Sequence, residues 1–143
     1  MKSFRSLTIF TVLFNFLIVI AVTHGIAFIG LLEIFWLPGF YSIGTDDFSL
    51  SFTSSYYKTI SAVAFLSLVG QILLIFSLLV KGRRTILVAR ITGLIILWIG
   101  FFYLTHHLLV DIAARYSLVT GLPFLICTVV LFYKTIKQPT PSS

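Results

Sequence analysis

The amino-acid sequence predicts an all-α integral membrane protein, a left-handed bundle of four transmembrane helices. Of its 143 residues, 59% are hydrophobic and only 10% are charged, whereas about a quarter of the residues are charged in soluble domains. The mean hydropathy is +1.11. So few polar side chains cannot cover the outside of a soluble fold, and lipid must contact the outer surface instead. We expect the whole chain to form a single transmembrane domain.

Four long apolar segments predict the helices. The first is longer than the about 20 residues that cross a bilayer, and Pro38-Gly39 ends it, because proline disfavours helix in the residue before it. The third and fourth follow each other so closely that they must form an antiparallel helical hairpin. The predicted spans cover about residues 7–37, 59–80, 85–110 and 111–133, with an outer loop at 38–58 and a cytoplasmic tail at 134–143.

Basic residues are concentrated at one end of these spans. Of the ten Lys and Arg residues, only Lys58 and Arg115 fall at the opposite end. Lys and Arg are enriched on the cytoplasmic side of membrane proteins, so both termini are predicted to be cytoplasmic. Small size, this charge pattern and the lack of an Arg- and Ser-rich transit peptide favour a bacterial plasma membrane. Because the basic groups lie beside apolar runs, we expect them to be topology signals and not to bind nucleic acid.

Three residues are predicted to mediate contacts between helices. In lipid, helices associate through small residues, which permit close approach, and through polar side chains, which form hydrogen bonds between helices. Gln71 falls near the centre of the second span. Gly93 and Gly100 are seven residues apart in the third span and so lie on nearly the same helix face. We interpret all three as structural contacts.

Histidines provide the candidate cofactor-binding residues. At about 1.5 Å per residue, His24 in the first span and His106 and His107 in the third all come near the outer boundary. If they meet between helices, they could bind a haem, a metal ion, a quinone or a proton. The simpler interpretation is that these amphipathic rings lie at the membrane interface without a ligand. We therefore expect no cofactor, with haem or a metal ion as the alternative.

An outer-face polar cluster is predicted beside these histidines. Glu33, Asp111 and Arg115 fall at or beyond the same boundary when residues are counted along continuous helices. Glu33 or Asp111 could supply an oxygen ligand to a metal ion held by the histidines. Asp111 can instead cap the fourth span, with Arg115 one turn later as its partner.

No motif predicts enzymatic activity. The sequence has no Walker-type glycine loop, no H-E-x-x-H, no G-x-S-x-G and no Cys-x-x-Cys. We therefore expect a non-enzymatic subunit or accessory factor that binds lipid and other membrane protein subunits. The alternative is a cofactor- or ion-handling protein that uses the histidines. A small transporter is the third possibility, although it would need a conducting path and the predicted mid-membrane regions carry almost no charge.

Overall fold

The computed structural model describes residues 2–22, 25–35, 56–106 and 112–137. Within these ranges the chain is mostly helical. Its elements are, in order, α1 (Lys2–Phe16), β1 (Val19–Val22), β2 (Gly25–Phe28), α2 (Ile29–Phe35), α3 (Tyr56–Leu79), α4 (Arg83–Thr105) and α5 (Ile112–Ile136).

Three of these helices are long and apolar enough to cross a membrane. The qualifying stretches are Ile60–Leu79, Arg83–Thr105 and Ala114–Ile136. A shorter apolar helix, Phe4–Phe16, lies within α1. The prediction of a helical membrane protein is confirmed to this extent, and the apolar helices are suited to contact with lipid.

The first predicted span is not a continuous helix. The prediction of one helix over residues 7–37 is wrong, because β1 and β2 form an antiparallel hairpin in its middle, with Val19 paired to Phe28 and Val22 to Gly25. Three of the four residues of β1 are β-branched, and such residues favour strands over helices. The hairpin reverses the chain before α2 begins.

Side chains of α5 form hydrogen bonds with the free edge of β1. The Ser117 hydroxyl donates to the carbonyl oxygen of Val19 at 2.8 Å, and the Val19 N–H donates to the Thr120 hydroxyl at 3.1 Å. Backbone groups must be satisfied within the protein in a membrane, because no water is there to pair with them. These two bonds therefore let a strand lie among helices.

Replacing Ser117 by Ala tests the hydrogen bond from the Ser117 hydroxyl to the Val19 carbonyl oxygen. We expect the free energy of unfolding to fall by about 1–2 kcal/mol, because the Val19 carbonyl loses its donor in an environment with little water. Thermal unfolding in detergent measures the change. Thr120→Ser is the matched control, since it keeps a hydroxyl beside the Val19 N–H. Equal losses in the two variants would contradict the proposed role of the Ser117 hydrogen bond.

Helices α3 and α4 form a close antiparallel pair. Gly70 faces Gly93, and a Cβ atom added at Gly70 would lie only 3.0 Å from the Gly93 carbonyl oxygen. Gly100 also faces α3, where a Cβ atom would lie 3.6 Å from the Cβ of Leu66. Both glycines that the sequence analysis placed on one face thus pack against α3.

Helix α5 also packs against α4. The indole N–H of Trp98 donates to the Thr128 hydroxyl at 3.0 Å. Nearer the start of α5, the Phe101 ring packs against Phe124 with their centroids 5.7 Å apart. Because α4 and α5 are antiparallel, α5 ends beside the start of α4. We call this end of the bundle the basic end; its described cations are Arg5, Lys81, Arg83, Arg84, Arg90, Lys134 and Lys137.

Candidate functional site

A group of four polar side chains is buried between α1, α2 and α3. Its members, which we call the Glu33 cluster, are Asn15, Glu33, Ser67 and Gln71. Their exposed fractions are 3%, 2%, 3% and 5% respectively. Ser67 and Gln71 are four residues apart on α3 and so face the same direction. The cluster therefore joins three elements of the fold through polar contacts.

Hydrogen bonds connect all four members. The side-chain N–H of Gln71 donates to Oε1 of Glu33 at 2.9 Å and makes a longer contact of 3.5 Å to the Ser67 hydroxyl. The Asn15 amide also donates to Ser67. The Ser67 hydroxyl thus accepts from two amides, and its own proton is available to a further acceptor.

The cluster lies deep within the bundle. Gln71 precedes the end of α3 at Leu79 by about 12 Å along the helix axis, and Ser67 by about 18 Å. The hairpin returns the chain to this depth. The Ile29 N–H donates to the Ile18 carbonyl oxygen at 2.9 Å, and a side chain at position 30 would overlap the Phe16 ring. Gly30 thus allows α2 to pack against α1 and to direct Glu33 towards α3.

One oxygen of the Glu33 carboxyl has no partner. Oε2 is enclosed by protein and forms no hydrogen bond. No described cation forms an ion pair with this carboxyl, so nothing in the described part of the chain balances a negative charge there. An unpaired buried polar atom costs about 1–3 kcal/mol, and an unpaired buried charge costs more. Helix packing alone does not account for this residue, because a leucine or an amide at position 33 would avoid the cost.

The chemistry of the cluster suits a small positive species. The neutral acid can carry a proton on Oε2, and the charged form can accept hydrogen bonds from Gln71 and Ser67. A cation such as Na⁺ would use the same carboxylate, the Ser67 hydroxyl and, after rotation of an amide, the Gln71 carbonyl oxygen. Within the described ranges, there is no group of three or more His, Cys, Asp or Glu side chains that could hold a metal ion.

No protein-family model matches this chain, and no curated protein or solved structure matches it. An inference about function must therefore come from the side chains themselves. Among the buried ionisable side chains that the structure describes, the Glu33 carboxyl is the one with an enclosed atom that forms no hydrogen bond.

The histidine site remains a prediction. His106 is half-buried at the end of α4, where its ring Nδ1 lies 2.9 Å from the carbonyl oxygen of Tyr103. Its ring also packs edge-on against the Tyr103 ring, with the centroids 6.2 Å apart. These are local contacts within one turn. His24 and His107 lie outside the described residues.

The predicted outer-face cluster remains a prediction. Glu33 is bonded to Gln71 in the interior of the bundle. The hairpin brings it there, because it turns the chain back by several residues where a continuous helix would advance. Arg115 is exposed in the first turn of α5, and Asp111 lies outside the described residues.

Two members of the cluster were not predicted as site residues. Asn15 interrupts the apolar run of α1, and Ser67 is one turn from Gln71, which was interpreted as a structural contact. The available signal was that Asn15 and Glu33 are the strongly polar residues of the described part of the first apolar segment. Only the reversal of the chain shows that both approach the same face of α3.

A second feature is an apolar groove on the surface between α1 and α3. Its volume is about 320 Å³. The one polar residue in its wall, Thr8, donates its hydroxyl to the Phe4 carbonyl oxygen, so the groove offers essentially apolar contacts. The lining residues are Thr8, Ile9, Val12, Leu13, Phe16, Ile75 and Leu78.

Proposed function

We propose that this chain is a non-enzymatic membrane protein that takes up and releases a proton or a small cation at Glu33. The observation that supports this proposal is the enclosed, unpartnered Oε2 of a carboxyl deep in the bundle. Ionisable groups inside membranes are expensive and usually serve a function. The ion-handling alternative of the sequence analysis is thus retained, with Glu33 in place of the histidines as its central residue.

The cluster can accommodate both states of the carboxyl. In the neutral state, a proton or a bound cation on Oε2 removes the cost of an isolated charge. In the charged state, donors from Gln71 and Ser67 stabilise the carboxylate. Their amide and hydroxyl groups can reorient to donate or to accept, so the exchange needs no large movement of the helices.

We further propose that the basic end faces the cytoplasm of a bacterial cell. The positive-inside rule supports this orientation, with both termini cytoplasmic and the protein in the plasma membrane. Helix α1 has 15 residues and β1 has 4, which together extend about 35 Å. That length is sufficient for the first of four crossings of a hydrocarbon core of about 30 Å. The Glu33 cluster would then lie within the hydrocarbon region.

Infrared spectroscopy tests the proposed site directly. The chain has only four acidic residues, so the carbonyl band of a protonated carboxylic acid can be assigned by substitution. We expect the reconstituted wild-type protein to show such a band and to lose it as the pH is raised, or as Na⁺ or K⁺ is added at constant pH. Glu33→Gln should lack the band, whereas Asp46→Asn should retain it.

A Glu33 band that does not respond to pH or to either cation, over the range in which the protein stays folded, would contradict the proposal. Glu33 would then be a fixed structural group. Loss of the band with pH alone would identify a proton as the species exchanged, and loss with a cation would identify that cation.

The second candidate is an accessory subunit of a larger membrane complex. The groove between α1 and α3 favours it, because an apolar helix of another subunit could occupy a cleft of about 320 Å³ in its membrane-facing surface. Gentle purification from the native membrane tests this role. A stoichiometric partner that contacts the groove would support it, and isolation of the chain alone would count against it.

A further inference from the structure

Arg90 is a second buried ionisable residue, located near the basic end. It lies on α4, seven residues after the start of that helix at Arg83, and only 7% of its surface is exposed. Its Nε–H contacts the Ser77 hydroxyl of α3 at 3.4 Å. The guanidinium carbon lies 5.1 Å from the centroid of the Phe4 ring on α1. Three helices therefore fix the position of this side chain.

Nothing in the described part of the chain balances the charge of Arg90. Glu33 is the sole acidic residue of the described ranges, and its bonded partner is Gln71. The attraction between a cation and the aromatic ring of Phe4 is much weaker than the attraction between a cation and an anion. A buried guanidinium without a counter-ion is unfavourable, so we expect an anion to come from outside the described ranges.

The two terminal nitrogens of Arg90 are available to such an anion. Within the described ranges the guanidinium donates only through Nε, to Ser77, so its Nη atoms form no hydrogen bond there. With 7% of its surface exposed, the side chain is not completely enclosed.

In the orientation proposed above, the guanidinium lies at the depth of the membrane headgroups. Side chains on a helix lean towards its N-terminus, which for α4 is the basic end. Ser77, the partner of Nε, is two residues before the end of α3 at Leu79. The guanidinium is therefore within about one helical turn of the end of α3.

We propose that Arg90 binds the phosphate group of an anionic phospholipid. With Nε held by Ser77 and the guanidinium over the Phe4 ring, the two Nη atoms form a fork that matches two phosphate oxygens. Exposed cations at the same end, including Arg5, Lys81 and Arg84, favour a lipid with net negative charge over a zwitterionic one. This site is separate from the Glu33 cluster and does not depend on ion handling there.

Lipid titration of the full-length protein in detergent tests the site. Native mass spectrometry can compare the binding of phosphatidylglycerol and phosphatidylcholine to the wild type and to variants. We expect Arg90→Gln to weaken phosphatidylglycerol binding by about thirtyfold, since charge-assisted hydrogen bonds are lost. Arg84→Gln is the matched control, because it removes the same charge from an exposed position. Its effect should be about fivefold or less.

Arg90→Lys separates the geometry of the site from its charge. Lysine keeps the positive charge but lacks the fork, so we expect it to bind phosphatidylglycerol more weakly than the wild type. This variant also serves if Arg90→Gln does not fold. Equal effects of Arg90→Gln and Arg84→Gln would overturn the proposal, because the lipid would then respond only to total charge. Unchanged lipid binding in Arg90→Gln, together with loss of a co-purifying protein, would overturn it in favour of a partner carboxylate.

Discussion

Replacing Gly70 by Ala is expected to lower the free energy of unfolding by about 2 kcal/mol. The new methyl group would lie 2.7 Å from Cγ of Leu97 and 3.0 Å from the carbonyl oxygen of Gly93. The leucine can change its rotamer, but the carbonyl belongs to the backbone of α4 and cannot move without the helix. The substitution therefore pushes α3 and α4 apart. Unfolding in mixed micelles, followed by circular dichroism, measures the loss.

Gly100→Ala is the control on the same pair of helices. A Cβ atom there would lie 3.6 Å from Cβ of Leu66 and 3.8 Å from the Val63 carbonyl oxygen, both ordinary contacts. Alanine also favours helix over glycine by up to about 1 kcal/mol. We expect this variant to be as stable as the wild type or slightly more stable. If Gly70→Ala and Gly100→Ala behave alike, close backbone contact at Gly70 does not determine how the pair packs.

Hydropathy predicted the helices of the second half of the chain but not the path of the first segment. Apolar composition shows that a stretch prefers lipid or the protein interior, and it does not distinguish a helix from a buried strand. The hairpin at residues 19–28 needs partners for the free edge of β1. Those partners, Ser117 and Thr120, are about a hundred residues later in the sequence. No pattern within the first segment indicates that they are there.

The candidate site was predicted only in part for the same reason. An acidic residue in a long apolar segment identified Glu33 as an ionisable group to be explained. Its depth was counted at about 1.5 Å per residue along an unbroken helix, and the structure has a hairpin in that segment. Gln71 was predicted near the centre of its span, and the structure shows it bonded to Glu33. The carboxyl and amide meet through a reversal of the chain, which sequence spacing alone cannot reveal.

Arg90 and Glu33, both buried and ionisable, differ in how a ligand could reach them. Arg90 leans towards the basic end and its Nη atoms form no hydrogen bond within the described ranges, so we expect a ligand to reach it from the membrane surface. Glu33 is enclosed, and only a species as small as a proton or a bare cation could reach Oε2 without a larger opening of the bundle. This difference supports a lipid headgroup for Arg90 and an ion for Glu33.

Replacing Glu33 by Leu is expected to keep or raise the stability of the protein while abolishing the infrared response to pH and cations. Leucine removes the enclosed, unpaired oxygen, whose burial costs about 1–3 kcal/mol. It also removes the acceptor of the Gln71 amide, but that amide keeps its contact with the Ser67 hydroxyl, so we expect this loss to be the smaller of the two. Functional sites commonly have this property, since their residues are retained for activity at the expense of stability. Thermal unfolding in detergent, measured on the same samples as the infrared spectra, gives both results.

Gln71→Leu is the matched variant, and we expect it to have the opposite effect on stability. Removing the amide leaves the Glu33 carboxyl without the Gln71 donor to Oε1, so we expect a loss of about 2–4 kcal/mol. In the double variant Glu33→Leu/Gln71→Leu, most of that loss should disappear, because no carboxyl remains to be satisfied. If Glu33→Leu alone destabilises the protein as much as Gln71→Leu does, the carboxyl is a structural link between α2 and α3. Its burial would then be explained by packing, and the case for an ion at this position would lose its main support.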